Sequence, residues 1–423
     1  MAAFSFGAGN ARKMVALPLY AVGRLLTAVV PRRRDLWVFG CATGVGEGAL
    51  ALWHRVSSRH PAVWLVADEA QAREAARLGV TAVRRSSAAG LWATARAGVI
   101  VITHGFGDVH RYAVSGAFVV QLWHGIPLKR IGLDSPETLR PPAWLDRGPL
   151  GRGARRLLSV MYRTATSRID LIPAASGVVR GRLVSAFGVR DHVVAETGEP
   201  RVDVLSAGDP DARRDSARQE ILTAAGVTTP PTSLVLYAPT WRDGAPDPAV
   251  PAEEEWREIL DVLERHDAVL LVRSHPLGAG VYRPPVPTDR VRSLPATAIP
   301  DITPLLPGLS ALITDYSSLV YDAALVPLPV LFLAPDMDEY AARRGFYGRY
   351  EDVAGTDVAR TWRDAVAVLD AVLDPDSGEA DRRIERGRLL SARVHRHRDG
   401  RSAERVYRAV MTRRSGRATE GVR

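Results

Sequence analysis

Cysteine is almost absent: Cys41 is the only one in 423 residues. That excludes an intrachain disulfide framework and makes a cysteine-built zinc site implausible, so a reducing compartment, the cytosol, is the simplest setting. Lysine is nearly as scarce. Lys13 and Lys129 stand against 54 arginines, a bias that points to a GC-rich bacterial genome and not to a function. Acidic residues are missing from residues 1–34, which hold six basic ones, and over 382–423 four acids face fourteen arginines. Those ends carry +16 while the whole chain is +9, which leaves the body mildly acidic, at about −7. A nucleic-acid-binding face on that body would need clustered basic residues, so nucleic acid is not an expected partner.

Long apolar runs are lacking too. The stretch 14–30 is interrupted by Pro18 and Arg24 and falls short of the roughly 20 apolar residues that a spanning helix needs. It is flanked by Arg12, Lys13 and Arg32-Arg33-Arg34, which suits an amphipathic helix lying on an anionic membrane surface. A helix packed on the protein's own core is the equal alternative. A cleaved signal peptide fits less well, because Arg-rich sequence follows and no small-residue cleavage site does.

What remains is an ordinary globular composition, 46% hydrophobic and 24% charged, with a length that suits two domains of about 200 residues. From Asp35 the runs LWVFG (36–40), AVWLVAD (62–68), VIVITHG (99–105) and AFVVQLWHG (117–125) alternate with stretches of helical length such as 69–78. LIPAAS (171–176) and VVAETGEPRVDVL (193–205) extend this half as strand-like segments. After a helix and linker over 206–231, the series resumes with SLVLYAPTWR (233–242), AVLLVRSHP (268–276), ALITDYSS (311–318) and PVLFLAP (329–335). An amphipathic helix is expected over 362–373, and the Arg-rich tail from Arg382 is helical in pattern to about Met411. Apolar strands alternating with helices imply parallel sheets covered on both faces. The expected fold is α/β, two Rossmann-like domains facing across a cleft. The bounds are a basic N-terminal segment at 1–34, a first Rossmann-like domain at 35–206, a second at 207–381 and an Arg-rich tail at 382–423. Gly44-Val45-Gly46 is a weak echo of a dinucleotide fingerprint and is discounted.

Ligands of such sheets sit beyond the carboxyl ends of the strands, and four polar motifs lie there. They are Trp123-His124-Gly125-Ile126-Pro127, Pro239-Thr240-Trp241-Arg242, Arg273-Ser274-His275-Pro276 and Asp315-Tyr316-Ser317-Ser318. Each has a bland reading: a structural histidine, a strand-ending proline, an ion-paired arginine, serines that merely cap a helix. Together they supply two histidines able to trade protons near neutral pH, two guanidiniums with a fork for phosphate oxygens, and a helix start carrying hydroxyls. That inventory suits phosphoryl or sugar transfer from an activated nucleotide.

QLWHGIPLKRIG (121–132), GEPRVD (198–203), YAPTWRD (237–243), RSHP (273–276) and the long block TDYSSLVYDAALVPLPVLFLAPDMDEYAARRGFY (314–347) closely resemble the CDP-glycerol glycerophosphotransferase family of teichoic acid synthesis. Asp399-Gly400-Arg401-Ser402 is similar to that family's closing motif. The resemblance implies a glycosyltransferase-B-like fold and transfer of a polyol phosphate from a CDP-alcohol donor to a lipid-linked glycopolymer acceptor, with release of CMP. It implies that His124 is the general base and His275 a second essential histidine beside the donor pyrophosphate. Arg201, Pro239, Thr240, Arg273, Ser274, Ser317, Ser318 and Asp322 are implied donor contacts. Gly125, Ile126, Pro127, Leu128, Arg242 and Asp315 are the further candidates from the same motifs. No cofactor or obligatory metal is expected, and the resemblance implies a peripheral place at the cytoplasmic membrane face. Ile126 stands where the family commonly has Thr. The alternatives left open are a nucleotide-sugar glycosyltransferase and a non-catalytic nucleotide-binding scaffold. Oligomeric state is not readable.

Overall fold

The structure, a computed structural model, describes residues 17–141, 147–242, 246–274 and 280–420. Two compact units divide the chain. The first comprises the residues up to Ile126, Arg130–Asp203 and those from Arg396 onward, and the second Pro127–Lys129 with Val204–His395.

The first unit is built on a parallel sheet of β1 (Arg33–Gly40), β2 (Ala62–Val66), β3 (Ala82–Arg84), β4 (Ala97–Ile102) and β5 (Phe118–Gln121), in the order β3-β2-β1-β4-β5. Its strands are apolar on both faces because helices cover both. Trp37, Phe39 and Trp64 are fully buried, and the Phe39 and Trp64 rings stack at 5.8 Å. The second unit repeats the plan with β8 (Ser233–Ala238), β9 (Ala268–Val272), β10 (Val291–Ser293), β11 (Ala311–Thr314) and β12 (Val330–Phe332), in the order β10-β9-β8-β11-β12. In both sheets the chain starts at the middle, winds one way and then crosses back. The strand order therefore reverses between β1 and β4, and again between β8 and β11.

Local chemistry sets the helix ends. The helix Pro210–Ala225 shows the usual devices. Asp209 accepts the backbone N–H groups of Asp211 and Ala212, proline occupies the first turn, and Gly226 closes the other end at φ +64°.

Three expectations change. The segment 193–205 is not a strand beyond β7 (Val194–Ala195), which pairs only with β6 (Ile172–Pro173). Gly198 at φ +78° turns the chain and a 3-10 segment over Pro200–Ser206 follows. The Arg-rich tail is neither one helix nor a separate region. It breaks around Asp399-Gly400, with Gly400 at φ +65°, so that Glu379–Val394 packs in the second unit while Ser402–Glu420 returns to the first. There Asp203 accepts the N–H groups of Ser402 and Ala403, and Val406 and Val410, one helical turn apart, are fully buried.

The third change concerns the N-terminal basic cluster. Arg32 does not point to lipid: its guanidinium donates to the carbonyls of Thr94, Ala97, Ala113 and Ser115. Arg33 pairs with Asp35. Arg12 and Lys13 lie outside the described residues. The helix Leu17–Val29 packs one side on the unit, where Gly23 meets the Tyr112 carbonyl so closely that a Cβ would sit 2.1 Å from it. Its other side exposes Leu19, Val22, Leu25 and Val29.

Candidate functional site

In the first unit, β4 and β5 are neighbours, with Ile102 opposite Gln121, and each strand leads into a His-Gly pair. Trp123 takes φ +63°, a left-handed conformation that costs a bulky residue of order 1–3 kcal/mol. Its indole is braced edge-on against Phe187 at 5.2 Å, and Gly125 follows at φ +131°. That kink carries His124 to the sheet edge, half-buried, beneath the Trp123 ring at 4.0 Å. The ring of His104 also stacks on the His124 ring, 4.6 Å between centroids and 7° between planes.

His104 is fixed from behind. One oxygen of the buried Asp108 carboxylate accepts the N–H groups of Thr103, His104 and Gly105 at 2.9, 2.7 and 3.2 Å. Gln121 donates to the Thr103 carbonyl, and the Thr103 hydroxyl lies 2.8 Å from His104 Nδ1. Burial pushes the His104 imidazole below its ordinary range; Asp108 opposes this and Arg201 adds to it. Arg201 thus stands in the first unit, near these rings. Its backbone N abuts Gly48, where a Cβ would come within 3.2 Å.

Gly125, Ile126, Pro127 and Leu128 are all buried. Ile126 is fully enclosed, so an apolar side chain fits where a hydroxyl would need a partner. The Leu128 carbonyl accepts the N–H of Tyr347.

Among the described residues, one group of potential metal ligands comes together: Cys41, Glu47 and His104, with atoms within 4.8 Å of one another. Burial drives the Cys41 thiol far up, its sulfur sits 2.9 Å from the Thr43 hydroxyl, and that hydroxyl donates to Glu47. A thiol held protonated is a poor ligand, and the cluster reads as a hydrogen-bonded turn.

In the second unit the motifs after β9, β8 and β11 lie side by side along one edge, as parallel strands require. The two groups with the most charge are occupied. Arg242 is buried, donating twice to Asp336 at 2.8 and 3.0 Å, once to Asp315 at 2.7 Å, and also to the Thr240 carbonyl. Asp315 in turn accepts the backbone N–H groups of Thr240 and Tyr316. Tyr316 donates to Asp336 and stacks on Tyr340 at 4.0 Å, with the guanidinium about 5 Å above both rings. Arg242 and Asp315 are therefore the frame of this crevice, not free groups for a ligand. Sequence spacing could not distinguish a paired arginine from a vacant one, since its main partner, Asp336, is 94 residues away.

The remaining candidates range from half-buried to buried. The Thr240 hydroxyl has no hydrogen-bond partner among the described residues. Ser317 and Ser318 are half-buried; the Ser317 hydroxyl accepts from the N–H of Leu319, and the Ser318 side chain makes no capping bond. The helix that follows is short, Leu319–Ala323, so its dipole is weaker than the sequence suggested. Arg273 is held loosely, by two long bonds to the carbonyls of Leu294 and Pro300, and burial lowers its affinity for a proton. Pro239 and Ser274 are half-buried beside it. Asp322 is fully buried, with Thr303 donating to it at 3.4 Å. His275 and Pro276 lie outside the described residues.

His104 was not singled out from the sequence. The available signal was the repeat of a His-Gly pair, Thr103-His104-Gly105 and Trp123-His124-Gly125, after consecutive apolar runs.

The family model for CDP-glycerol:poly(glycerophosphate) glycerophosphotransferase matches residues 30–412. The chain is 28% identical over 304 residues to the teichoic acid glycerol-phosphate transferase of Staphylococcus aureus, covering 69% of this chain and 70% of that one. Against the teichoic acid poly(glycerol phosphate) polymerase of Bacillus subtilis it is 27% identical over 268 residues, 61% of this chain but only 33% of the polymerase. The structure of the wall teichoic acid polymerase TagF superposes with a TM-score of 0.71 at 19% identity, covering 96% of both chains, which shows a shared fold. A match over nearly the whole chain, across both sheets and every motif described, places this protein in the CDP-glycerol:poly(glycerophosphate) glycerophosphotransferase family.

Proposed function

We propose that the protein transfers a polyol phosphate, glycerol phosphate in the first instance, from a CDP-linked donor to a hydroxyl of a lipid-linked glycopolymer, releasing CMP. The observation that carries this is the kinked presentation of His124, an imidazole brought to a strand end at the expense of backbone strain. A glycerol hydroxyl is a weak nucleophile until a base takes its proton, and an accessible imidazole serves that purpose near neutral pH. The donor's diphosphate belongs to the second unit, where Thr240, Ser317, Ser318 and Arg273 supply hydroxyls and a positive charge. His275 and Asp322 complete that set by resemblance. Arg201, an implied donor contact, stands in the unit that carries His124.

The acceptor is membrane-borne, and the surface of the first unit supports attachment at an anionic bilayer. Besides the stripe Leu19, Val22, Leu25 and Val29, the helix Gly148–Thr166 exposes Leu150, Leu157 and Val160 beside Arg152, Arg155, Arg156 and Arg163. No described helix is long and apolar enough to cross a membrane.

The test is incubation of the purified protein with CDP-glycerol, CDP-ribitol, UDP-sugars and GDP-sugars in the presence of a lipid-linked acceptor. CMP is the expected nucleotide, and His124→Ala should lower its release at least about a hundredfold, the ordinary worth of a general base. Release of UDP or GDP would establish a glycosyltransferase instead, and no release at all would leave a nucleotide-binding scaffold.

A further inference from the structure

In the first unit the transfer chemistry assigns work to one imidazole, His124, yet that unit presents two, face to face. Their stacking is not a chance of packing. Two neighbouring parallel strands end in the same His-Gly pair, both glycines take positive φ (Gly105 +146°, Gly125 +131°), and the rings lie within 7° of parallel. The turn that carries His104 is held by three backbone N–H bonds onto Asp108, and the ring itself meets the Thr103 hydroxyl at Nδ1.

Resting on the transfer reading above, we propose that His104 is a positioning residue for this reaction. Its flat, uncharged ring holds the His124 ring in plane and stabilises the imidazolium that forms when the acceptor hydroxyl gives up its proton. In that step the hydroxyl oxygen bonds to the donor's phosphorus, the bond from phosphorus to the CMP oxygen breaks, and its electron pair leaves with CMP. The hydroxyl proton passes to His124, while His104 neither gains nor loses one. Two stacked imidazoles cannot both hold a charge cheaply, so one must stay neutral for the other to act as base. The surroundings choose His104. Burial and the positive Arg201 disfavour its proton, against Asp108 on the turn behind it. From the end of β1, Glu47 reaches the same cluster, while the Cys41 thiol is kept uncharged by burial. The face of a neutral aromatic ring favours a cation stacked on it.

The test compares the wild-type protein with His104→Ala and His104→Phe, the latter keeping a flat uncharged face that cannot titrate. NMR titration of the His124 ring reads the coupling without substrate. Alanine should lower the His124 midpoint by about half a pH unit, and phenylalanine should restore most of that shift. With CDP-glycerol and acceptor, His104→Ala should lower kcat about tenfold, with the acid limb of the pH profile moved to lower pH, while KM for CDP-glycerol stays within about twofold. Should the alanine variant not fold, His104→Gln replaces it as the polar variant lacking an aromatic face. Equal His124 midpoints in all the variants would overturn the proposal. So would a phenylalanine variant as inactive as His124→Ala, since His104 would then be the proton carrier itself. If the wild-type protein released no CMP from CDP-glycerol, the transfer reading would fail, and the NMR titration would still decide whether the two rings are coupled.

Discussion

The two units share one strand order and fill the crevice at its reversal in opposite ways. Beyond β1, β4 and β5 stand groups that are neutral or can be: two stacked imidazoles, a protonated thiol and a short hydroxyl chain. Beyond β8, β11 and β12 lies a buried ion network, Arg242 between Asp315 and Asp336, roofed by Tyr316 and Tyr340. Topology decided where each site lies and left its chemistry to the residues. A crevice that must pass a proton benefits from groups that change charge easily. On the proposed transfer, a crevice that holds a diphosphate needs donors at fixed positions, and the ion network ties Thr240 and Arg242 to Asp315 and Asp336. The surfaces differ as well. Of the fourteen large hydrophobic residues exposed among the described residues, nine belong to the first unit, from Leu19 to Val178.

The largest expected effect tests whether the second crevice is a frame. Arg242→Ala leaves two carboxylates facing each other with little solvent, and should cost about 3–5 kcal/mol of stability in denaturant unfolding. His124→Ala, in the half-buried first crevice, should cost under about 1 kcal/mol by the same measurement. Equal losses would erase the contrast between a frame and a reactive site. Of intermediate size is the effect of Ser317→Ala combined with Ser318→Ala. Affinity for CDP-glycerol by calorimetry should fall roughly tenfold, the worth of one or two hydrogen bonds to a charged group, with stability almost unchanged. An unaltered Kd would remove both hydroxyls from the donor site. The smallest effect concerns the surfaces: Leu19→Ser with Leu25→Ser should reduce sedimentation with anionic vesicles by about twofold to tenfold, because each exposed leucine contributes modestly to interfacial binding. Unchanged sedimentation would confine the stripe Leu19–Val29 to a role within the protein.

The placement of most candidate residues was legible because strand ends announce themselves. Apolar runs stop at Gln121, Ala238, Val272 and Thr314, and the polar residues just beyond are forced to the same edge of their sheet. Whether those residues are free was not legible. Arg242 and Asp315 have the same look in sequence as Arg273 and Ser317, and the difference is made by Asp336, supplied from beyond β12. Arg32 offered a similar ambiguity: a basic residue in a basic cluster, it turned out to bind four carbonyls of its own unit. The Ser402–Glu420 helix was legible as a helix but not as part of the first unit, since its buried Val406 and Val410 carry no sign of which sheet they will cover.

The sequence by itself determined the parallel α/β plan and the family, because strand composition, turn residues and motif spacing are local properties. Tertiary structure alone decided which charged side chains would be spent on one another and which would stay available. That choice depends on partners tens to hundreds of residues away meeting in a medium of low dielectric. It also brought His104 against His124, a contact set by the pairing of β4 with β5 and by two glycine turns, neither of which a linear reading assembles.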